Sequence, residues 1–320
     1  MKKSFFFFLK VGVSLLLVYW LILHVDWSVV VDKLLSLSLP LVFLYILFQL
    51  LGNLISAKKW QFLSHWQGFS FSVRDGFFAY LTGAFINNFL PGTIGGDAYR
   101  TLWLGRNGER WKAFSVVFFD RASGLLALFV CAMIGFFVLP LSLWQSSPWL
   151  ILLAFFTFFV LVLTLSSFLY TYGVFEMLIL IAGWLPSSRP VNFIRRFEVF
   201  ADQAIYARAI GYALLFTLVG VAFNNYALFL ALGADIHFVP FTGVIFLATL
   251  VSSIPLSINN IGIKEWAYIT FFGLAGVSPE IAVTAALLSR FLQMLLSFIA
   301  VPFYLGQRKI APSGEMDIVK

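Results

Sequence analysis

The segment 87–100 constrains the fold most, because it places a proline, three glycines and an Asp/Arg pair directly after the apolar run 76–86. The chain around it is 61% hydrophobic and only 11% charged, which is typical of a polytopic membrane protein. Hydrocarbon tolerates a broken backbone only where protein or a water-filled cavity satisfies the freed N–H and C=O groups. The sequence therefore predicts a site inside the membrane at this segment.

A second segment of the same kind occurs at residues 253–265, with one proline, two asparagines, one glycine and an acid. In each case an arginine follows inside the next apolar stretch. Asp97 and Arg121 are 24 residues apart, and Glu265 and Arg290 are 25 residues apart. This recurrence indicates a weak internal repeat.

The distribution of basic residues predicts the topology, because lysines and arginines favour the cytoplasmic side of a membrane. Lys58 and Lys59 precede the first broken segment, and Arg106 and Arg110 follow it. We therefore expect that segment to belong to a re-entrant hairpin that leaves the membrane on the side where it began. The loop before the second broken segment has no Lys or Arg, so we expect the second hairpin to begin on the opposite side.

These features predict an all-α polytopic membrane protein built from two inverted repeats, with about six full spans plus two re-entrant helical hairpins. We expect a single integral membrane domain over residues 1–320, in a bacterial cytoplasmic membrane, with both termini cytoplasmic. Its parts are a first repeat at 39–139 with a hairpin at 76–101, a cytoplasmic or interfacial linker at 171–208, and a second repeat at 209–306 with a hairpin at 241–273. The predicted spans are 11–24, 39–57, 113–139, 149–170, 209–232 and 281–306, and an interfacial amphipathic segment is predicted at 26–38.

Several functional classes are not expected from the composition. The net charge of +7 comes from short basic clusters beside apolar runs, which fits topology and lipid headgroups better than nucleic acid. The lone Cys131 forms no disulfide framework, and His65 lies between aromatic residues, as an interfacial anchor does. We find no Walker loop, zinc-ligand spacing or serine elbow, so we expect no cofactor and no metal.

Arg121 and Arg290 allow two interpretations, because a charge inside a span costs about 2.5 to 3.5 kcal/mol on insertion scales. Each arginine can simply pair with an acid, either Asp97 or Glu265, within a repeat or across the two. Alternatively, the arginines and nearby glycine N–H groups bind the oxygens of a lipid phosphate. Asp97 and Arg100 share a helix face, which fits either a local salt bridge or a headgroup contact.

The same residues resemble the flippase-like family typified by the membrane region of bacterial lysylphosphatidylglycerol synthases. The first motif is Asn88-x-x-Pro91-x-x-x-Gly95-Gly96-Asp97-x-x-Arg100, followed by Asp120-Arg121-x-x-Gly124-Leu125. The second motif is Pro255-x-Ser257-Ile258-Asn259-x-x-Gly262-x-x-Glu265, followed by Arg290. The resemblance covers nearly the whole chain, although Asp120 stands where glutamate is expected and Asn260 where glycine is usual.

The resemblance implies the lipid-moving region of such proteins, and we expect no counterpart of the soluble aminoacyl-transferase domain that follows it in the synthases. The candidate substrate-binding residues are Asn88, Pro91, Gly92, Gly95, Gly96, Asp97, Arg100, Asp120, Arg121, Pro255, Ser257, Asn259, Asn260, Gly262, Glu265 and Arg290. For Asn224 and Asn225 we favour structural roles.

Three functions remain open from the sequence. The main hypothesis is the flipping of a phospholipid or another phosphate-bearing lipid between leaflets, which is transport and not enzyme catalysis. A second is a membrane transferase that uses Asp97 or Glu265 as a general base on a lipid-linked substrate. A third is a non-transporting subunit that partners a lipid-modifying enzyme in an envelope biosynthesis complex.

Overall fold

The structure is a computed structural model that describes residues 2–89, 94–139, 154, 156–160, 195, 200, 202–254, 257 and 260–308. The regular elements of these residues are helices. The helices used below are α1 (Lys2–His24), α2 (Trp27–Leu35), α3 (Leu39–Trp66), α4 (Val73–Asn87), α5 (Ile94–Leu104), α6 (Arg110–Val138), α7 (Gln203–Phe216), α8 (Asn224–Ala231), α9 (Phe238–Ser252), α10 (Ile263–Leu274), α11 (Pro279–Ser297) and α12 (Val301–Arg308). A π-helical stretch, Thr217–Phe223, joins α7 to α8, and a 3-10 turn joins α11 to α12. An all-helical protein is therefore confirmed for the described residues.

The first two helices meet at a sharp bend of 82°. Asp26 caps α2, because its carboxylate accepts the backbone N–H of Ser28 at 3.0 Å and the Ser28 hydroxyl at 2.6 Å. A capped helix that turns away from α1 is consistent with the interfacial segment predicted at 26–38.

Helix α3 corrects the prediction that the second span ends near residue 57. The helix continues to Trp66, and Lys59 lies inside the protein with 5% of its surface exposed, while the neighbouring Lys58 is exposed. Consecutive residues on a helix point about 100° apart, so two adjacent lysines need not share an environment. Lys59 therefore does not mark the end of a span.

Helices α4 and α5 form the first helical hairpin. They approach closely at Gly83 and Gly96, where a Cβ atom on Gly96 would lie 2.5 Å from the Gly83 carbonyl oxygen. The side chain of Asn87, at the end of α4, accepts the Gly96 N–H at 2.6 Å. The hairpin thus depends on two glycines and one amide, and its helices extend the predicted bounds 76–101 by three residues at each end.

Helices α9 and α10 form the second hairpin, which the sequence placed at 241–273. The backbone turns into α10 through Asn260, with φ of +56°, and Gly262, with φ of +86°. Positive φ is costly for residues with a Cβ, although asparagine tolerates it better than most. Asn260 therefore adopts a conformation that is more usual for glycine.

Helix α6 passes through the middle of the protein and connects the two hairpins. Its N-terminal half contacts α5, and its C-terminal half packs on α9 through the facing pair Gly135 and Gly243. A Cβ on Gly135 would lie 2.9 Å from the Cα of Gly243, so small residues set this distance. An aromatic cluster formed by Phe229, Phe241 and Phe272 fills the adjacent core.

Four helices of the described residues are long and apolar enough to cross a membrane: Leu39–Trp66, Arg110–Val138, Gln203–Ala231 and Pro279–Gly306. A fifth is added if α1 and α2 count as one bent span. Most of the span predicted at 149–170 lies outside the described residues. The total of six spans, the inverted arrangement of the repeats and the linker at 171–208 therefore stay predictions.

Candidate functional site

The first acid and arginine pair predicted from the sequence is present. Arg121 on α6 donates to both oxygens of Asp97 on α5, with Nε 3.0 Å from Oδ1 and 2.9 Å from Oδ2. Half of the Arg121 side chain and a quarter of the Asp97 side chain are exposed. The pair therefore lies at the accessible edge of a polar cluster.

Asp120 is the buried centre of that cluster, with 1% of its surface exposed. The Lys59 Nζ atom lies 3.0 Å from Asp120 Oδ1, and it donates to the Asp120 backbone carbonyl at 2.8 Å. The Tyr80 hydroxyl and Arg100 Nη1 both donate to Asp120 Oδ2 at 2.8 Å. Three elements, α3, the first hairpin and α6, are therefore joined by one carboxylate.

Arg100 connects the two acids, because its Nη2 atom also donates to Asp97 Oδ1 at 2.6 Å. Its guanidinium lies over the rings of Tyr80, at 4.3 Å, and Trp60, at 5.5 Å. The local salt bridge between Asp97 and Arg100, one of the two alternatives from the sequence, is therefore present, and it is largely shielded from solvent because only 2% of Arg100 is exposed. Arg100 lies behind Asp97 and stabilises the cluster.

The cluster carries more positive than negative charge. Three cations, Lys59, Arg100 and Arg121, lie against two carboxylates, Asp97 and Asp120. In surroundings of low polarity an uncompensated charge is costly, so such a cluster attracts an anion. Arg121 is the most exposed of the three cations, and it is the position at which that anion would bind.

A cavity of about 180 Å³ opens beside Arg121. Its wall includes Arg100 and Tyr80 from the cluster and Gln293 from α11. The remaining lining residues are Gln49, Asn53, Leu81, Gly83, Ala84, Asn87, Gly96 and Leu296. A cavity of roughly 150 Å³ accommodates a benzene molecule, so the space is sufficient for a phosphate group. The first hairpin and α11, which are distant in the sequence, therefore meet at one cavity with both polar and apolar lining residues.

The second acid and arginine pair is also present. Arg290 on α11 donates through Nη2 to Glu265 Oε1 at 3.0 Å and to the backbone carbonyl of Asn260 at 3.2 Å. Glu265 is 2% exposed, and its Oε2 atom accepts the Gly262 N–H at 2.8 Å. In the part of the chain that the structure describes, the acid of each broken segment thus pairs with the arginine that follows it in the sequence.

The sequence of the chain matches one known family over most of its length. Residues 7–300 match the family described as the lysylphosphatidylglycerol synthase TM region. The chain belongs to this family. This match confirms the resemblance inferred from the motifs. Membership of the family supports a multi-pass membrane protein, and it is consistent with a function that involves lipid.

One curated relative is an archaeal protein described as a UPF0104 membrane protein, from Methanothermobacter thermautotrophicus. It is 31% identical to this chain over 83 residues. The aligned part is 25% of this chain and 25% of the relative, so the chain spans about a quarter of the relative that it matches.

The glycines of the family motif have a different local role from the one expected. The N–H of Gly96 is bonded to Asn87, and the N–H of Gly262 is bonded to Glu265. These two N–H groups are therefore engaged within the protein, which corrects the expectation that they are presented to a ligand in this conformation. Gly96 permits close packing on Gly83, and Gly262 provides a positive φ beside Leu17 of α1.

The remaining candidates of the family motif have varied positions. Asn88 donates to the Ser297 hydroxyl at 2.9 Å, and so it ties the first hairpin to the end of α11. Gly95 is half-buried in the first turn of α5, and Ser257 is buried. Pro91, Gly92, Pro255 and Asn259 lie outside the described residues.

Sequence reasoning missed Lys59, Tyr80 and Lys264, which all lie in or beside the two polar clusters. Lys264 was overlooked because it precedes Glu265, and Lys59 was assigned to a basic loop. A signal for Lys59 was available, since the apolar residues Trp60 and Leu63 follow it and extend α3. Asn224 and Asn225 have the structural contacts expected, with Gln49 at 2.6 Å and the Tyr268 hydroxyl at 2.9 Å respectively.

Proposed function

We propose that this protein moves a phosphate-bearing lipid from one leaflet of a membrane to the other. The observation that carries the proposal is Arg121, a half-exposed arginine beside a cavity in a cluster with excess positive charge. A guanidinium donates two parallel hydrogen bonds to a phosphate, and it remains charged under all physiological conditions. The headgroup phosphate is therefore the part of the lipid that we assign to this cavity.

The position of the cavity supports a lipid over a soluble anion. It lies between helices that belong to the apolar body of the protein, and its lining includes the apolar side chains of Leu81, Ala84 and Leu296. A lipid can place its phosphate at Arg121 and leave its acyl chains along the apolar helix surfaces. Membership of the lysylphosphatidylglycerol synthase TM-region family agrees with a lipid substrate.

Two broken helical hairpins support movement over static binding. Transporters commonly place their substrate where interrupted helices from two repeats meet near the membrane centre. Here the first hairpin lines the cavity directly, and α11 contributes Gln293 three residues after Arg290. We infer that the hairpins shift relative to α6 and α11 and that this shift changes the side from which the cavity is accessible.

Under this proposal, Asp97 and the lipid phosphate compete for Arg121. Asp97 accepts hydrogen bonds from both Arg121 and Arg100 in the structure, so a phosphate that takes the Nε and Nη2 side of Arg121 displaces Asp97 from it. Glu265 holds Arg290 in the corresponding way. Each acid therefore keeps its arginine paired when no lipid is bound, and the energy for net movement comes from a gradient, a partner or the lipid distribution itself.

The transferase alternative needs a carboxylate that can accept a proton from a substrate. Asp97 accepts hydrogen bonds from two arginines, and Glu265 accepts from Arg290 and the Gly262 N–H. Every oxygen of the two carboxylates already has a hydrogen-bond donor, so neither acid is placed to take a proton from a substrate in this conformation. The arrangement therefore favours lipid movement over the transferase. An experiment distinguishes lipid movement from an accessory role beside a lipid-modifying enzyme.

We further propose a bacterial cytoplasmic membrane as the location, with both termini in the cytoplasm. Its support is the clustering of lysine and arginine in the segments assigned to that side.

The test is lipid scrambling by purified protein in vesicles that contain fluorescent anionic, zwitterionic and lysyl-modified phospholipids. We expect movement of one lipid class, and a loss of at least about tenfold in Arg121→Ala and Arg290→Ala. Arg110→Ala is the matched control, because Arg110 is an exposed arginine at the start of α6. That variant should scramble lipid at the wild-type rate.

Two outcomes would overturn the proposal. Absence of movement of every lipid class, with and without an imposed ion gradient, would favour the accessory role. Turnover of a lipid-linked substrate in detergent, with no vesicle present, would favour the transferase.

A further inference from the structure

Lys264 occupies an unusual position at the start of α10. Its Nζ atom donates to the Ser289 hydroxyl at 2.6 Å, and it lies 5.4 Å from the centre of the Tyr268 ring. Among the residues that the structure describes, none of the ion pairs includes Lys264. A lysine amine in the interior of a membrane protein therefore has a hydroxyl and an aromatic ring as neighbours in place of a carboxylate.

The two halves of the protein differ at one equivalent position. The residue before Arg121 is Asp120, whose carboxylate binds the amine of Lys59. The residue before Arg290 is Ser289, whose hydroxyl binds the amine of Lys264. The first half thus neutralises its buried lysine with an acid, whereas the second half only provides a neutral hydrogen-bond acceptor.

The only acid seen beside this lysine in the described residues is not available to it. Both oxygens of Glu265 are occupied, one by Arg290 at 3.0 Å and the other by the Gly262 N–H at 2.8 Å. Lys264 and Arg290 therefore provide two cations against one engaged carboxylate. An excess cation in surroundings of low polarity favours the binding of an anion, by the same argument that applies to the first cluster.

Polar groups connect this second cluster to the cavity at Arg121. The Ser289 backbone carbonyl accepts the Tyr45 hydroxyl at 3.2 Å, and the same hydroxyl accepts the Gln293 amide at 3.3 Å. Gln293 lines the cavity together with Arg121. A chain of hydrogen bonds therefore runs from Gln293 at the cavity, through Tyr45, to Ser289, whose hydroxyl accepts from Lys264.

We propose that Lys264 and Arg290 form a second phosphate-binding position, separate from the one at Arg121. The inference rests on the proposed function in one respect, since it treats the bound phosphate as that of the transported lipid. Phosphate binding at Arg121 and phosphate binding at Lys264 then represent two stages of one route. The phosphate of a lipid and free inorganic phosphate share the chemistry that this position recognises, and the test separates them.

The test measures anion binding in the Arg121→Ala protein, so that the first position is removed. The probes are dihexanoylphosphatidic acid and, in a separate titration, inorganic phosphate, with affinity determined by calorimetry in one detergent. We expect the Arg121→Ala protein to bind the lipid probe. Adding Lys264→Met should weaken that binding at least about tenfold, and Lys264→Arg should restore most of it.

Ser289→Asp provides a second and sharper variant, because it gives the second half the carboxylate that the first half has in Asp120. We expect it to neutralise Lys264 and to weaken binding as strongly as Lys264→Met does. Lys112→Met is the control, since it removes a lysine at the start of α6 whose side chain is 41% exposed. Thermal unfolding of each variant shows whether it is folded, and if Ser289→Asp is not, the comparison of Lys264→Met with Lys264→Arg decides.

The outcomes separate this inference from the proposed function. Unchanged binding in both Lys264→Met and Ser289→Asp, or no binding by the Arg121→Ala protein, would overturn the second position. Binding of inorganic phosphate alone would overturn its assignment to lipid. If the expected binding pattern is found but the wild-type protein scrambles no lipid, the second anion position stands and the proposed function fails.

Discussion

Lys59 and Asp120 form a buried ion pair between α3 and α6, with the lysine amine 3.0 Å from one carboxylate oxygen. The amine also donates to the backbone carbonyl of Asp120 at 2.8 Å, so the lysine contacts α6 at two points. Arg100 and Tyr80 bind the other carboxylate oxygen. One acid thus contacts α3, both helices of the first hairpin and its own helix α6.

This contact predicts that Lys59→Met lowers the stability of the protein. Breaking a buried ion pair leaves the partner charge poorly compensated and costs about 3 to 5 kcal/mol. We expect a clear fall in the midpoint of thermal unfolding, measured in one detergent at fixed protein concentration. Lys58→Met is the matched control, because Lys58 is exposed and we find no ion pair for it in the described part of the chain. Equal midpoints for the two variants would contradict the prediction.

The contact between Gly83 and Gly96 predicts that Gly96→Ala disrupts the first hairpin. The added Cβ would lie 2.5 Å from a backbone oxygen, and backbone atoms cannot move aside as a flexible side chain can. Overpacking of this kind typically costs about 1 to 3 kcal/mol, and here it would also displace α5 with Asp97 and Arg100. We expect lower thermal stability and slower lipid scrambling.

Gly211→Ala is the control for that experiment, since Gly211 lies in a helix and has nothing within 4 Å of an added Cβ. It should leave scrambling unchanged and raise stability slightly, because alanine favours a helix more than glycine does. A Gly96→Ala protein that behaves like the Gly211→Ala protein would argue against a role for close helix packing at the cavity.

Asn53 and Asn225 predict opposite effects of the same substitution. Asn53 lines the cavity, and no hydrogen bond of its side chain is found among the described residues, whereas Asn225 binds the Tyr268 hydroxyl and the Val221 carbonyl. Asn53→Leu should therefore keep or raise the thermal midpoint and reduce scrambling. Asn225→Leu should lower the midpoint, because it leaves a buried tyrosine hydroxyl without its partner. Similar losses of stability in both variants would refute this distinction.

The inverted arrangement of the two hairpins predicts labelling from opposite sides of the membrane. Glu109 follows the first hairpin, Asp235 precedes the second, and both are exposed. In a Cys131→Ala background, a cysteine at position 235 should react with a membrane-impermeant maleimide on intact cells. A cysteine at position 109 should react only after the cells are permeabilised. Labelling of both positions from the same side would rule out inverted repeats.

The acids and arginines of the site could be predicted because charged residues are rare in apolar sequence and are recognised from the local sequence alone. A charge inside an apolar stretch needs a partner, so pairing of Arg121 and Arg290 with Asp97 and Glu265 was predicted, and of the alternatives left open the structure shows Asp97 with Arg121 and Glu265 with Arg290. The hairpin positions were predicted for the same reason, because proline, glycine and asparagine interrupt apolar runs. These conclusions required no knowledge of which helices are neighbours.

The remaining parts of the site depend on contacts between distant segments and could not be predicted in this way. Asn224 meets Gln49 across 175 residues, and Asn88 meets Ser297 across 209 residues. Which face of α3 is buried decides whether Lys58 or Lys59 enters the site, and an apolar helix gives little periodic signal for that choice. The cavity wall beside Gln293 likewise results from packing between the two halves.

The π-helical stretch Thr217–Phe223 has a consequence for how this site tolerates insertions and deletions. A π turn accommodates one more residue than an α turn, so the helix after it is shifted in phase by about 100° per extra residue. Asn224 and Asn225 follow directly and point at Gln49 and Tyr268 because of that phase. Removal of a single residue from the stretch would restore regular helix and turn both amides away, so the length of this short segment is as restricted as the identity of the residues that it orients.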